Sequence, residues 1–314
     1  MDTLALASNA ATIAREAGAL LREFYDRGVA MEYKGDVDLV TEADRASENL
    51  IRARLSESLP GHGIYGEEGT REGLDREFRW YVDPLDGTTN FAHGFPVFCV
   101  VLGCEHRPSG LAENEDGTIV AGVIYDPLRD ELFSAARGHG ATQNGTPIHV
   151  SKAATLQESL TGTGFPSSKR HESPNVHFYQ EITLRSHGVR RAGSAALDLA
   201  YVACGRLDGY WEFKLNPWDT SAGYLLVEEA GGKVTHFDGG RFTLDSREVL
   251  AANPVLHSEM QHVFEEMFSG RGLGPIPTPA EFAARRREAE QFDGRQDSSA
   301  PSAADQVSRV TRTS

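Results

Sequence analysis

The sequence has little cysteine: Cys99, Cys104 and Cys204 are the only thiols in 314 residues. Three cysteines cannot all pair, and each lies in an apolar run such as 98–104. A disulfide framework, which is typical of small secreted domains, is therefore not expected. We predict buried free thiols in a reducing compartment, and so a cytoplasmic protein.

Features that direct a chain to a membrane are also missing. The N-terminus reads as an acidic-leaning helix, without the basic start and apolar run of a signal peptide. No apolar stretch has the length of a membrane span. Together with the net charge of -15, this predicts no membrane association.

Positive charge is scarce, with 31 lysine and arginine residues against 46 aspartate and glutamate residues. A nucleic-acid surface is basic and clustered, so direct nucleic-acid binding is not expected. An anionic substrate stays compatible with this balance, because a bound divalent cation supplies local positive charge.

The length allows two core-forming units in one globule or one large domain, and the 39% hydrophobic content is ordinary for a globular protein. Beyond residue 268 the composition changes to Gly and Pro, and then to Ser, Asp, Gln and Arg. We predict a catalytic domain over 1–269, with halves at about 1–152 and 153–269. Residues 270–314 are predicted to form a disordered tail in which 280–292 can be helical.

Hydrophobic periodicity and turn residues predict the secondary structure of the first half. Residues 3–27 form an amphipathic helix, and Thr41 with Asp44 fits a capping box that opens a helix ending near Leu59. The remaining predicted elements are a hairpin over 31–40 turning at 34–36, strands over 63–66, 78–82, 97–104, 119–125 and 131–135, and a hairpin over 141–150 turning at Asn144-Gly145.

The second half is predicted to alternate strands with helices. Its strands are 159–164, 189–191 and 207–213, and its helices run from Ser194 to about Gly205 and from Thr220 to Ala230, the latter capped by Asp219. With Gly87-Thr88, these are three helix starts that carry polar residues. A helix N-terminus favours a phosphate, whereas three unrelated caps are the alternative interpretation.

Residues 78–91 concentrate the polar chemistry of the chain. Pro84 predicts that the strand stops at Asp83, with the Asp83 carboxylate projecting outward. Asp86, Gly87 and two threonines follow within a few residues. Two carboxylates, a glycine and two hydroxyls can bind magnesium and a phosphate together. Turns of the Asp-Pro and Asp-Gly type explain the same residues, so both interpretations stay open on this stretch alone.

The stretch Asp83-Pro84-Leu85-Asp86-Gly87-Thr88-Thr89-Asn90 resembles the signature of the inositol monophosphatase family. Further elements of that family occur in its order, and the resemblance runs from about Leu4 to about Phe268. These elements are Lys34 with 38–41 and Asp44, Gly66-Glu67-Glu68, Gly193-Ser194-Ala195-Ala196, Glu212, and Trp218-Asp219 before 229–232.

This resemblance implies an α/β (mixed α+β) fold of the sugar-phosphatase type. The expected architecture is a layered α-β-α-β-α sandwich with an antiparallel N-terminal half and a mixed-sheet C-terminal half. Members of the family commonly form homodimers.

The resemblance also implies a site that binds two to three Mg²⁺ ions and is sensitive to lithium. Its implied metal ligands are Glu67, Asp83, the Leu85 carbonyl, Asp86 and Asp219. Glu67, and Thr88 with Asp44, are implied to activate the water that attacks phosphorus in line. The implied substrate contacts are Asp86, Gly87, Thr88, Gly193, Ser194, Ala195, Glu212 and Asp219, with Lys34 and Glu68 as accessory residues.

The implied activity is hydrolysis of myo-inositol 1-phosphate or a related polyol phosphate. Glu212 favours a polyol, since a carboxylate accepts hydrogen bonds from hydroxyls. Histidinol phosphate, fructose 1,6-bisphosphate and nucleotide phosphates stay open as substrates, and a regulatory binding protein of a transcription complex stays open as another class. Simpler interpretations also stay open: Asp44 as a helix cap, 67–68 as an acidic surface turn, and Lys34 as a solvated turn tip.

Overall fold

In the computed structural model, two β-sheets alternate with three layers of α-helices. The structure describes residues 2–28, 31–33, 39–109, 111, 117–165, 173–272, 275–276 and 278–284. Residues up to Gly272 form one compact unit. In the second unit, residues 279–284 are helical, which overlaps the first residues of the predicted helix 280–292. The predicted domain boundary and the disordered tail stay predictions.

Within the unit that ends at Gly272, the described residues form seven α-helices and fifteen strands. The helices are α1 (Thr3–Arg27), α2 (Glu42–Ser58), α3 (Thr88–Ala92), α4 (Asn175–Arg185), α5 (Ala195–Ala203), α6 (Pro217–Glu229) and α7 (Pro254–Phe268), with a 3₁₀ turn at Leu156–Glu158. The strands of the first half are β1 (Met31–Tyr33), β2 (Leu39–Thr41), β3 (Gly63–Gly66), β4 (Arg71–Glu72), β5 (Phe78–Asp86), β6 (Cys99–His106), β7 (Thr118–Asp126), β8 (Glu131–Ala136), β9 (Ala141–Gln143) and β10 (Thr146–Pro147). Those of the second half are β11 (Leu160–Thr163), β12 (Gly188–Arg190), β13 (Gly209–Phe213), β14 (Lys233–Thr235) and β15 (Glu248–Ala252).

The first large sheet has the strand order β10-β9-β8-β7-β6-β5-β3-β4. Its neighbouring strands are antiparallel, except that β3 runs parallel to β5. The second sheet has the order β12-β11-β13-β15-β14, with β11 parallel to both of its neighbours and the other pairs antiparallel. The predicted mixed sheet of the second half is confirmed.

Alternation along the strands divides the core into layers. Trp80 and Val82 of β5 pack with α1 and α2, whereas Tyr81 packs with α5 and α6, because successive side chains point to opposite faces of a sheet. On the far side of the second sheet, α4 and α7 pack against Trp211 and Leu250. The resulting order is α1/α2, first sheet, α5/α6, second sheet, α4/α7, which confirms the predicted α-β-α-β-α sandwich.

Several local predictions are confirmed. The helix over 3–27 forms as α1, and Thr41 with Asp44 makes the capping box of α2. Asn144 and Gly145 both have positive φ, as a tight hairpin turn between β9 and β10 requires. β1 pairs with β2 as an antiparallel hairpin, but its predicted turn at 34–36 lies outside the described residues.

Two boundaries near the polar motifs were predicted wrongly. β5 does not stop at Asp83 but continues to Asp86, and its register with β6 shifts between these two residues. Proline has no N–H to donate, and such an irregularity accommodates it inside a strand. Helix α6 begins at Pro217 with Asn216 as N-cap, so Asp219 is the third helical residue rather than the cap. Proline at the first helical position has the φ that a helix needs.

The three cysteines are free, with Cys99 and Cys104 buried and Cys204 half-buried. This confirms the absence of a disulfide framework. Across the described ranges, no helix is both long enough and apolar enough to cross a bilayer.

Candidate active site

A cleft of about 500 Å³ lies where the end of β5 and the start of α3 meet the N-termini of α5 and α6 and the end of β13. This volume suits a small organic ligand. The cleft brings together most of the predicted site residues from both halves of the chain. Its lining residues are Glu67, Asp86, Gly87, Thr88, Thr89, Gly164, Phe165, Arg191, Gly193, Ser194, Ala195, Asp198, Glu212, Phe213, Lys214, Leu215, Asn216, Trp218 and Asp219.

Asp83 is not among the residues that line this cleft and is 2% exposed. Its carboxylate accepts a hydrogen bond from the backbone N–H of Leu85, at 3.0 Å. Burial raises the pKa of Asp83 well above its usual range, and the negative charges of Glu67, Asp86 and Asp219 raise it further. The four acidic side chains implied as metal ligands are therefore close enough to repel one another.

Asp86 joins the two halves of the site. One of its carboxylate oxygens accepts hydrogen bonds from the Ser194 hydroxyl, at 2.6 Å, and from the Ala196 N–H, at 2.8 Å. Burial raises the pKa of Asp86, although these hydrogen bonds to Ser194 and Ala196 lower it. The carboxylate at the end of β5 is thus held by the first turn of α5.

Asp219 has two roles at the start of α6. Its carboxylate accepts a hydrogen bond from the backbone N–H of Asn216, at 2.7 Å, which completes a capping box. Burial and then the charge of Asp86 raise the pKa of Asp219 to about 8. Helix capping and membership of the acidic cluster therefore occur together in this residue.

Thr88 contacts Asp44, as the resemblance implied. The Thr88 hydroxyl donates to Asp44 at 3.0 Å and is also 3.1 Å from the Leu85 carbonyl oxygen. The other Asp44 oxygen accepts from the N–H and the hydroxyl of Thr41, at 2.8 and 2.6 Å. Asp44 is thus both a helix cap and the partner of Thr88. Burial, the largest effect, raises the pKa of Asp44.

Gly87 shapes the floor of the cleft at the start of α3. Its φ is 98°, in the left-handed region, and a Cβ here would lie 2.8 Å from the Val97 carbonyl oxygen. Both observations require glycine at this position. The residue therefore lets the backbone turn sharply between Asp86 and Thr88.

Glu67 lines the cleft, and its backbone N–H donates to the Val82 carbonyl oxygen at 3.0 Å. Glu68 is not among the residues of the cleft wall; its backbone N–H donates to the Glu48 carboxylate at 2.7 Å. The predicted accessory residue Lys34 lies outside the described residues.

Sequence reasoning missed Glu48, a buried residue of α2. Its carboxylate accepts from the N–H and the hydroxyl of Thr70, at 3.0 and 2.6 Å, in addition to the Glu68 N–H. It therefore fixes the turn that carries Glu67. The signal was present: Glu48 follows Asp44 by four residues, which places both on one face of a helix.

Glu212 lies on β13 and is 8% exposed. The Tyr210 hydroxyl donates a hydrogen bond to its carboxylate, and burial raises the pKa of Glu212 to about 7. Gly193, Ser194 and Ala195 line the same cleft. The predicted substrate residues of the second half therefore line the same cleft as Glu67 and Asp86 of the acidic cluster.

The residues of the cleft wall that sequence reasoning missed include Phe165, Arg191, Asp198 and Lys214. The Arg191 guanidinium lies 5.2 Å from the centre of the Phe165 ring. Lys214 has a φ of 63°, which is uncommon for a residue with a side chain. Arg191 and Lys214 each lie two residues from a predicted site residue, Gly193 and Glu212, and this spacing was the available signal.

The donor atoms of the acidic cluster suit a hard cation. Carboxylate and carbonyl oxygens are the ligands that magnesium prefers, and a cation relieves the repulsion that raises the pKa of Asp83. Within the described ranges, no group of three or more His, Cys, Asp or Glu residues is already arranged to hold an ion. The cluster fits magnesium by chemistry and proximity rather than by a finished coordination geometry.

Comparison with known proteins gives a consistent result. Residues 3–267 match the model of the inositol monophosphatase family. The chain is 43% identical over 256 residues to inositol-1-monophosphatase of Mesorhizobium japonicum, covering 81% of this chain and 93% of the relative. It is 42% identical over 259 residues to Nus factor SuhB of Escherichia coli (strain K12), covering 81% and 94%.

Solved structures show the same similarity. Inositol monophosphatase from Anabaena (Nostoc) sp. PCC 7120 has a TM-score of 0.73 at 42% identity, covering 83% of this chain and 96% of that one. Inositol monophosphate bound SaIMPase-II has a TM-score of 0.70 at 28% identity, covering 86% and 98%.

Proposed function

The chain belongs to the inositol monophosphatase family, and from this premise we propose that it is a magnesium-dependent phosphomonoesterase acting on myo-inositol 1-phosphate or a related polyol phosphate. The observation that carries the proposal is the acidic cluster of Glu67, Asp83, Asp86 and Asp219 beside a cleft. Clustered, buried carboxylates are costly without a cation, and a phosphate ester is the ligand that such a cation attracts.

The proposed ligands of two to three Mg²⁺ ions are oxygens of Glu67, Asp83, Leu85, Asp86 and Asp219. When bound, magnesium lowers the pKa of a coordinated water and offsets the negative charge of a phosphate. Hydrogen bonds within the chain position two of these ligands: Ser194 and Ala196 donate to Asp86, and the Asn216 N–H donates to Asp219. Asp86 and Asp219 therefore each keep one carboxylate oxygen that these hydrogen bonds do not use.

Thr88 and Asp44 are proposed to orient the attacking water. A hydroxyl has one hydrogen and two lone pairs. Because Thr88 donates its hydrogen to Asp44, its lone pairs are available to accept a hydrogen bond from water. Glu67, at the cleft, is proposed to accept the proton that this water releases. Thr88 and Glu67 would then fix the direction of attack on phosphorus.

The alcohol of the substrate is proposed to lie against the second half of the chain. The Tyr210 hydroxyl occupies one oxygen of Glu212, which leaves the other to accept from a substrate hydroxyl. Gly193, Ser194 and Ala195 form the adjoining wall. Gly87 and Thr88 are proposed to contact the phosphate group, which every phosphomonoester shares. Discrimination among substrates would then depend on the residues that face the alcohol.

Other properties belong to the same proposal because they come from the family rather than from the geometry. These are inhibition by lithium at a magnesium position, a homodimeric assembly and a cytoplasmic location. Size-exclusion chromatography with light scattering tests the assembly: a mass of one chain in solution would contradict the homodimer.

A regulatory function is a second candidate, because the chain is also similar to proteins that are described as the Nus factor SuhB. The two functions need not exclude each other. Retention of an acidic cluster with its positioning hydrogen bonds favours catalysis, since a purely regulatory protein does not need it.

A substrate panel tests the proposed function. Phosphate release is measured with magnesium for inositol 1-phosphate, histidinol phosphate, fructose 1,6-bisphosphate, a nucleoside monophosphate and glycerol 2-phosphate. We expect the highest kcat/KM for inositol 1-phosphate. A higher kcat/KM for another ester would identify that ester as the better substrate. If no ester released phosphate, the regulatory function would be the better explanation.

A further inference from the structure

Asp198 lies in the first turn of α5, on the wall of the cleft, and is 2% exposed. Its carboxylate receives no hydrogen bond from any residue in the described ranges. The proposed mechanism gives it no role. A carboxyl group that is buried, borders a cleft and lacks a partner requires an explanation.

The surroundings of Asp198 disfavour ionisation of its carboxyl group. Burial raises the pKa of Asp198 well above its usual range, and the negative charges of Glu212 and Asp86 raise it further. Helix capping does not explain it, because the Ser194 side chain already accepts the Leu197 N–H at the start of α5. A site that hydrogen-bonds a substrate hydroxyl leaves its own polar group unpaired until that substrate binds.

The chain leaves room for two carboxyl groups side by side. Gly162 and Gly164 are two residues apart, so they belong to the same face of an extended chain. A Cβ at Gly162 would lie 3.5 Å from the Asp198 carboxyl carbon, and one at Gly164 would lie 2.2 Å from a Glu212 carboxylate oxygen. A side chain at Gly162 would therefore contact Asp198, and one at Gly164 would overlap Glu212.

Resting on the proposed function, we propose that Asp198 is a specificity-determining residue that binds a second hydroxyl group of the substrate alcohol, next to the hydroxyl bound by Glu212. The substrate class is then a phosphate ester of a polyol with two neighbouring hydroxyls directed at the second sheet. A substrate amine is the other partner for two carboxyl groups. Arg191 and Lys214 line the same cleft and disfavour it, because they repel a cation.

The test compares two substrates that share a six-membered ring. Inositol 1-phosphate has ring hydroxyls, and cyclohexyl phosphate has none. We expect Asp198→Ala to lower kcat/KM for inositol 1-phosphate by about 10- to 100-fold, the effect of losing a hydrogen bond to a charged group. The loss should appear mainly in KM. For cyclohexyl phosphate the loss should be less than about threefold, because this substrate offers Asp198 no hydroxyl.

Asp208→Asn is the matched control. Its carboxylate accepts the backbone N–H of Leu160 at 2.6 Å and does not line the cleft, so it has a structural role in the same layer. We expect this variant to leave the ratio of the two kcat/KM values within about twofold of wild type. A shift in the ratio as large as that of Asp198→Ala would overturn the proposal.

Stability gives a second, independent readout. Asp198→Asn keeps the shape of the side chain but removes a buried charge that Glu212 and Asp86 repel. We expect its melting temperature without metal to equal or exceed that of wild type, as for other residues kept for function. A lower melting temperature, with equal losses of kcat/KM on both substrates, would make Asp198 structural and overturn the proposal.

The outcomes separate this inference from the proposed function. If wild-type protein with magnesium releases phosphate from no ester, the proposed function fails. If it prefers inositol 1-phosphate and Asp198→Ala keeps that preference, only the role of Asp198 fails. A higher kcat/KM of wild type for histidinol phosphate than for inositol 1-phosphate would indicate that the two carboxyl groups bind a substrate amine. This result would overturn the polyol assignment.

Discussion

At the scale of single residues, the site is dominated by carboxyl groups whose environment opposes ionisation. Burial is the largest cause of the raised pKa of Asp83, Asp86 and Asp219, and the negative charge of neighbouring carboxylates raises the pKa of Asp83 and Asp219 further. Without a cation, such a cluster lowers the stability of the fold. Replacing one charge with a neutral group of the same shape therefore separates the functional from the structural contribution.

Asp83→Asn and Asp219→Asn are expected to fold and to lose activity by at least about 100-fold, the order of magnitude that an essential electrostatic group contributes. Asparagine at 219 retains an oxygen that can accept the Asn216 N–H. Melting temperature without metal, measured beside kcat, checks this. If stability fell together with activity, the cap at Asn216 and the turn at Leu85 would be the main roles of these residues.

Glu212 is expected to discriminate among alcohols. Glu212→Gln keeps the size of the side chain but replaces one acceptor oxygen with a donor. We expect kcat/KM for inositol 1-phosphate to fall by about 10-fold or more, from the loss of a charged acceptor, and kcat/KM for glycerol 2-phosphate to fall much less. Steady-state kinetics on both substrates decide this. Equal losses would mean that Glu212 supports the site as a whole.

At the scale of elements, α2 supports two parts of the site from one face. Asp44 holds Thr88, and Glu48, one turn later, holds the backbone after Glu67. The same helix packs its apolar residues under the first sheet. The positions of the proposed water-orienting residue and of a proposed metal ligand are therefore linked through one rigid helix.

Glu48→Gln is expected to destabilise the protein by about 1–3 kcal/mol. The Glu48 carboxylate accepts hydrogen bonds from donors of the 68–70 turn, and the glutamine NH₂ group would place a donor against one of them. The substitution is also expected to weaken magnesium binding, since the turn carries Glu67. Urea unfolding with and without magnesium measures both effects. Glu42→Gln, on the exposed first turn of the same helix, is the matched control, and an equal effect there would contradict the role of Glu48.

Helix α7 contains a buried histidine that makes stability depend on pH. His257 is 0% exposed, and its Nε2 lies 2.8 Å from the Thr235 hydroxyl oxygen. Burial first, and the charge of Lys233 second, lower the pKa of His257 to about 4. His257 binds a proton near pH 6.5 in the unfolded chain but only near pH 4 in the folded chain. The contribution of neutral His257 to the free energy of unfolding is therefore complete above pH 6.5 and is lost as the pH falls toward 4.

We therefore expect the free energy of unfolding to fall by on the order of 2 kcal/mol between pH 6.5 and pH 4.5 through His257. His257→Gln should lack this component, whereas changing the exposed His262 on the same helix should keep it. Urea unfolding at both pH values measures the difference. The same pH dependence in His257→Gln and wild type would rule out His257 as its source.

Elements with a strong local signal were predictable from the sequence. Helix α1 has a regular apolar face, and the Asn144-Gly145 turn has the residues that its φ angles require. The end of β5 and the start of α6 were not predictable, because pairing with β6 carries the chain through Pro84 and the Asn216 cap displaces Asp219. Helix α7 was not predicted, because it lies beyond the last polar motif, at 229–232.

At the scale of the whole molecule, the cleft exists only because both halves contribute to it. The first half supplies Glu67, Asp83 and Asp86, and the second half supplies Ser194, Glu212 and Asp219. The family motifs predicted which residues meet, but not Glu48, Asp198, Arg191 or Lys214. The positions of Glu48 and Asp198 depend on how α2 and α5 pack against the sheets, and Arg191 and Lys214 follow the ends of β12 and β13. Local sequence patterns do not specify either arrangement.

The acidic cluster is proposed to bind the magnesium on which hydrolysis depends. The most direct measurement follows melting temperature and phosphate release from inositol 1-phosphate along one magnesium titration, for wild type and Asp83→Asn. We expect both quantities to rise together in wild type, with about 1.4 kcal/mol of stabilisation at ten times Kd, and neither to rise in the variant. Full activity of wild type in excess chelator, or activity that requires zinc instead, would contradict the claim.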